Sequence, residues 1–330
     1  MDDTQTSLRI VEVQEKDLAL WDAFIKSSPQ GTFFHTTTWT ELIAATFGRR
    51  LNRCFCLRND QPVGGFTYLD QKKLFWNLVT PTPLFPFNAP VFYQPQDEKY
   101  QKTISRYLEI SIEFDRFLRK HYDYWVLDTS ALDTDLRAHI WQGAAVEPRY
   151  TYLVPLDEKG DRTENYNQTI RKKLRQADQN KVVVEETADI SIIANLYQKS
   201  YLRHGLHPLL SKEMLTRFLH GANDLPQVKI YTARANGNIN AFRIVLFDVD
   251  TVYDLLAGSD DDSGISSAYL VHHILGQFEQ THRKFDFMGA DHPWIEQFKR
   301  GFGGRLVQGF RITGHVKFPL SLIVKMQKFR

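Results

Sequence analysis

The chain has 330 residues, 42% of them hydrophobic and 24% charged, with a formal charge of +2. It is too apolar for a disordered protein and long enough for two domains. So small a net charge excludes a global field that would gather nucleic acid or an anionic membrane, and leaves only local patches to do so.

The start Met1-Asp2-Asp3-Thr4 is acidic and polar, unlike a secretory leader, and no run approaches the roughly 18 to 20 apolar residues of a membrane-spanning helix. A cytoplasmic location is expected. Cys54 and Cys56, the only cysteines, stand two apart on an expected strand and read as reduced thiols with no metal between them.

In chain order, a strand is expected at 8–13 and a helix at 17–26, where Leu18, Trp21 and Ile25 recur at helical spacing. A second helix runs from a cap at Thr36, Thr37 or Thr38 to Gly48. Residues 51–93 alternate with period two, which predicts an antiparallel meander turning at 59–62 and 70–72. Pro81, Pro83 and Pro86 cannot donate to a ladder, so 80–86 is a loop. A helix at 99–120, a strand at 124–127, a helix at 133–142 and a strand at 150–155 close the first half.

The second half repeats this syntax. It gives a helix at 166–180, a strand at 182–185, a helix at 189–204 and a meander of 227–235, 238–249 and 251–257. A helix at 266–282, a strand at 285–288, a short helix at 294–300 and a strand at 306–312 follow. The recurrence predicts an α+β fold of two similar domains, 1–150 and 151–330, each with a central, mostly antiparallel sheet flanked by helices.

Near the end, Asp286-Phe287-Met288-Gly289-Ala290, Ile295 and then Phe298-Lys299-Arg300-Gly301-Phe302-Gly303-Gly304 follow one another. This series resembles the closing signature of the FemAB-like branch of the GNAT acyltransferase superfamily. Thr32-Phe33-Phe34-His35-Thr36 ahead of Trp39 resembles that branch's early helix entry, and Ile170 to Ala177 its basic central helix. The resemblance implies a tandem pair of GNAT domains with a substrate channel between them. It implies transfer of an acyl or aminoacyl group to an amine, from acyl-CoA or from aminoacyl-tRNA, with no metal. The implied acceptor is a small molecule or a peptidoglycan precursor, and transfer RNA is a partner only if the enzyme is of the Fem aminoacyltransferase type.

Lys299, before a glycine-rich turn, is the candidate to stabilise an oxyanion on the acyl carbonyl. Asp286 either accepts a proton from the attacking amine or caps the helix that follows. Arg171 and Arg175, one helical turn apart, have the spacing to grip one anion, and the alternative is a solvated face with Asp178 as partner. Trp39 is a substrate-site candidate by the resemblance. Tyr201 and His204 share a helical face with Tyr197 and border either a cleft or the core.

GNAT acetyltransferases hold the diphosphate of coenzyme A on the amides of a glycine-containing loop that opens a helix. The corresponding place here runs from Gly258 through Gly264 to Ser266 and Ser267, but Asp260, Asp261 and Asp262 would repel a diphosphate. That acidic loop sustains a second reading, a non-catalytic module that binds an envelope glycan or peptide precursor.

Overall fold

The computed structural model describes residues 7–315, apart from 96, 159, 188, 204 and 292 and the side chain of Trp294. It divides into two units. One comprises the chain up to Pro148 and again from Gln308, and the other comprises Arg149–Val307. The first begins with β1 (Arg9–Glu12), α1 (Leu18–Ser27), α2 (Thr37–Phe47), β2 (Arg50–Arg58), β3 (Gln61–Lys73) and β4 (Trp76–Val79). It continues with β5 (Val91–Phe92), α3 (Tyr100–His121), β6 (Tyr124–Asp128) and α4 (Arg137–Trp141). β7 (Ala145–Pro155) leads into the second unit, which holds α5 (Gln168–Gln179), β8 (Val183–Glu186), α6 (Ile190–Arg203), α7 (Lys212–Asn223), β9 (Val228–Ala235) and β10 (Asn238–Phe247). β11 (Thr251–Ser259), α8 (Ile265–Phe278), β12 (Lys284–Asp286) and α9 (Pro293–Arg300) complete it, and β13 (Arg305–His315) carries the chain back to the first unit.

In the first unit β1, β2, β3 and β4 pair antiparallel in turn, β4 runs parallel to β6, and β6 pairs antiparallel with β13. Ile110, Phe114 and Leu118 of α3 join one core with Phe66, Tyr68 and Trp125, while Trp21, Phe24 and Ile25 of α1 join another with Phe55 and Val91. Adjacent glycines in β3 admit both helices. A Cβ at Gly64 would lie 2.7 Å from Ile110 Cγ2, and one at Gly65 would lie 2.9 Å from Phe24 Cε1.

In the second unit β7 pairs antiparallel with β12, β12 runs parallel to β11, and β11, β10, β9 and β8 are antiparallel neighbours. Ile170, Leu174 and Ala177 of α5 and Val271, Ile274 and Leu275 of α8 pack in one core with Tyr231, Val245 and Val252. α6 packs on β10 and β11, and α7 on α6 and β9.

Both units contain the same device. A strand, a crossover helix and a second strand form a parallel pair joined over only a few residues: Leu78 opposite Tyr124 and Val79 opposite Trp125 in the first, and Thr251, Val252 and Tyr253 opposite Lys284, Phe285 and Asp286 in the second. Beyond Tyr253, β11 continues to Ser259 on β10. β12 has ended, so the parallel pair opens at its carboxyl end, where α/β arrangements place ligands.

The structure corrects three expectations. β13, placed by sequence in the second domain, pairs with β6 of the first unit, with Ile312 opposite Leu127. No turn falls at 70–72. Asp70 pairs with Arg50 and accepts the Tyr122 hydroxyl at 2.7 Å, so the polar residue is satisfied inside β3, which turns only after Lys73. Residues 205–226, left without an element, contain α7, whose cap Ser211 accepts the Met214 N–H at 3.2 Å and whose Leu215, Phe218, Leu219 and Ala222 are buried. Cys54 and Cys56 are free and buried, and burial pushes both thiols up to about 12. Among the described residues no helix is long and apolar enough to cross a membrane, and no group of three or more His, Cys, Asp or Glu side chains is placed to hold a metal ion.

Candidate functional site

The site begins with a register shift. Ile244 of β10 faces Leu256 of β11, but Val245 faces Asp254, so β11 bulges by one residue at Leu255. In a regular strand Asp254, three residues from Ala257, would lie on the opposite face, and Ala257 faces Arg243. The bulge brings Asp254 to the face of Arg243. The two side chains, 4% and 7% exposed as residues, form a buried ion pair. Arg243 also donates to Ser267 Oγ of α8 at 3.4 Å and lies over the Phe298 ring of α9, 5.7 Å from its centroid. Arg243 Nε and Asp254 Oδ1 are buried without a hydrogen-bond partner.

Lys299 of α9 reaches the same region. Its Nζ donates to the carbonyl oxygens of Phe287 at 2.6 Å and Gly289 at 2.7 Å, both past the last paired residue of β12. A carbonyl that leaves a ladder needs a donor, and the ammonium supplies one to each. Burial lowers the Lys299 pKa, the Asp254 carboxylate opposes that shift, and the Arg243 guanidinium reinforces it.

Asp286, fully enclosed, accepts from Thr151 Oγ1 at 2.6 Å and from the Met288 N–H at 2.7 Å, while Thr151 Oγ1 accepts the Gly289 N–H at 3.1 Å. Burial raises the Asp286 pKa against those two donors and Lys299. The carboxylate therefore shapes the turn at Met288 (φ 53°) and Gly289 (φ 107°), the same turn whose carbonyls hold Lys299.

The loop before α8 is occupied by its own acid. Asp261 Oδ1 accepts from the Ser263 N–H at 2.9 Å and the Ser263 hydroxyl at 2.5 Å, and Oδ2 accepts the Ser266 N–H at 3.1 Å. The Ile265 N–H goes to Ser263 Oγ at 3.2 Å. Burial acts to raise the Asp261 pKa, but these donors prevail and hold it below the usual range. The Lys173 ammonium stands at this turn, 2.7 Å from where a Cβ on Gly264 would lie, its pKa lowered by burial and supported by Asp261. Lys199 and Arg203, one turn apart on α6, pair with Asp260 at 3.7 Å and Asp262 at 3.3 Å. A coenzyme A diphosphate does not fit the α8 N-terminus as it stands, because its amides hold Asp261 and Ser263 and the flanking carboxylates face the same place.

Of the residues singled out from the sequence, Lys299 and Asp286 hold the same turn after β12, and Ser267 accepts from Arg243 of the buried pair. Gly264 and Ser266 belong to the Asp261 turn. Gly258 makes room for a ring, since a Cβ there would lie 2.4 Å from Phe242 Cε1. Trp39 is corrected from a substrate contact to a core residue: it is fully buried and donates through Nε1 to the Leu84 carbonyl at 3.0 Å. Arg171 and Arg175 are exposed on α5, whereas Lys173, between them, meets the α8 turn. Tyr201 is half-buried, its ring 4.8 Å from that of Tyr197. His204 lies outside the described residues. Arg243 and Asp254 were not marked by the sequence, because a bulge invisible in a linear reading brings them together, and Lys173 was marked only as part of the basic helix.

The first unit holds a separate cavity of about 320 Å³, lined by Phe92, Tyr107, Ser111, Asp133 and His139 among others. Burial pushes Asp133 up to about 7. No residue singled out from the sequence lines it.

A bulged strand, a parallel pair opening beyond its first residues and a helix crossing between them define the class: these are units of the GNAT fold. Residues 164–300 match the family model described as the Acetyltransferase (GNAT) domain. The chain has the tandem GNAT architecture, and its FemAB-like resemblance is matched by the fold of FemX, with a TM-score of 0.71 and 14% identity over 96% of this chain and 99% of that one. L-PGS from Bacillus licheniformis is similar with a TM-score of 0.57 and 12% identity, covering 96% of this chain and 97% of its own. A tandem GNAT protein from the clavulanic acid biosynthesis pathway gives 0.53 and 10%, covering 94% and 99%. No curated protein matches the chain in sequence.

Proposed function

We propose that the chain is an acyltransferase that passes an acyl or aminoacyl group to an amine, with the second unit supplying the chemistry. The observation that carries this reading is the desolvated Lys299 ammonium at the opening between β11 and β12, held by two backbone carbonyls. An ammonium has three donors, so one remains for the substrate carbonyl oxygen as it gains charge in the tetrahedral species. Asp286 acts as a positioning residue through the turn it shapes. The Arg243–Asp254 pair sets the local field.

The filled α8 N-terminus supports a donor that is not gripped there by a diphosphate. Aminoacyl-tRNA, or acyl-CoA bound elsewhere, is therefore to be tried, with a peptidoglycan precursor and small amines as acceptors. The same filled turn favours the second reading, a binding module without turnover. Incubation of the purified chain with acetyl-CoA or aminoacyl-tRNA and each acceptor, read by mass spectrometry, separates them. A product that depends on Lys299 supports the enzyme. A precursor that raises the melting temperature while no donor yields product supports the module.

A further inference from the structure

Among the described residues, three hairpins turn through two residues. Between β2 and β3 the turn is Asn59-Asp60, with φ of 50° and 60°, and between β9 and β10 it is Asn236-Gly237, with φ of 51° and 81°. Asn, Asp and Gly tolerate positive φ, which is why tight hairpins use them. Between β3 and β4 the turn is Leu74-Phe75, where Leu74 takes φ 57°. A bulky residue there carries backbone strain that Asn or Gly would relieve. The strain also yields no packing, since Leu74 and Phe75 are 82% and 71% exposed, with the Phe75 ring 4.8 Å from that of its neighbour Trp76.

The surroundings are basic. Lys72 and Lys73 precede the turn and are exposed, and no carboxylate occurs from Gln71 to Thr80. Asn77 of β4 donates to the His121 carbonyl at 3.5 Å, which brings the last turn of α3, with the exposed Lys120, beside the hairpin, while Arg119 of that turn lies over the Trp125 ring. Asp123 at this junction is buried and accepts the Asn77 N–H at 2.9 Å. Two exposed apolar side chains at a hairpin tip flanked by the exposed Lys72, Lys73 and Lys120 complement a surface with anionic headgroups above an apolar interior. We propose that the Lys72–Trp76 hairpin tip docks the protein on an anionic lipid bilayer, with Leu74 and Phe75 entering the acyl boundary and Lys72, Lys73 and Lys120 facing the phosphates.

The test is co-sedimentation of the full chain with vesicles of phosphatidylglycerol and phosphatidylcholine in equal parts, and of phosphatidylcholine alone. The wild type is expected to bind the mixed vesicles at least tenfold more strongly than the neutral ones, and less as salt rises. Leu74→Ser with Phe75→Ser, and separately Lys72→Glu with Lys73→Glu, should each weaken binding about tenfold or more while circular dichroism melts stay within a few degrees of wild type. Failure of the wild type to prefer anionic vesicles overturns the proposal, as does binding that both variants retain. If the wild type dimerises in sedimentation velocity and the Leu74→Ser, Phe75→Ser variant does not, the tip is an interface with a second copy and the lipid assignment is wrong.

Discussion

The Lys299 ammonium is hydrogen-bonded at 2.6 Å to the carbonyl oxygen of Phe287, the residue that follows the last paired position of β12. One side chain thus closes the backbone where the sheet opens and points charge into the opening. Lys299→Met keeps the stem and removes both bonds. Turnover is expected to fall about a hundredfold, the scale of one lost oxyanion donor, with a loss of roughly 2 kcal/mol in stability as the Phe287 and Gly289 carbonyls lose their donor. Steady-state kinetics with urea unfolding separates the two effects, and wild-type turnover would remove Lys299 from the chemistry.

The Arg243–Asp254 pair is buried on both sides, so removing one charge strands the other. Asp254→Asn should cost about 3–5 kcal/mol. Arg243→Met with Asp254→Leu should recover most of that loss, because the desolvation of both charges disappears with them. Denaturant unfolding measures both losses, and a double variant that recovers none of the loss would show that a stranded charge is not what the single variant costs.

Asp261 fills the amides that a donor diphosphate would need. Asp261→Ala should lower stability by about 1 kcal/mol, as loss of a helix cap does. It should also strengthen coenzyme A binding at that turn, since a repelling carboxylate leaves and amides are freed. Calorimetric titration of wild type and variant with coenzyme A decides it. Equal affinities would mean that the turn is not where the donor binds.

His35 is buried in the first unit, and burial holds its pKa at about 4 instead of 6.5. Between those values the unfolded chain takes up a proton that the folded one refuses, so stability falls as pH drops from 6.5 towards 4 and this contribution is constant below. The expected loss is roughly 3 kcal/mol over that window. His35→Gln should flatten this part of the urea-midpoint profile relative to wild type, and parallel profiles would show that His35 is not the group responsible.

The linear sequence carried most of the fold for a local reason: helices and strands are marked by spacing, caps and turns within a few residues. Asn59-Asp60 and Asn236-Gly237 announce their hairpins, and Trp21 and Ile25 announce the buried stripe of α1, which Phe24 completes. The signature from Asp286 to Gly304 likewise pointed to Lys299 and Asp286, because a motif that shapes one turn is contiguous. Asp70 misled, since a carboxylate reads as a turn until Arg50 and Tyr122 are seen to satisfy it inside β3. Trp39 misled as well, because an aromatic beside a motif looks the same whether it faces a ligand or the core.

By itself, then, the sequence determined two α+β halves of recurring order and marked the stretch from Asp286 to Gly304 as the candidate for the chemistry. Only the tertiary structure decided that Asp254 faces Arg243, that Lys173 and not its arginine neighbours meets the α8 turn, and that the last strand returns to the first unit. Those relations depend on one bulged residue, on which side of α5 packs against α8, and on pairing between strands nearly two hundred positions apart. Each is set by the partner across a contact, and no spacing along the chain encodes it.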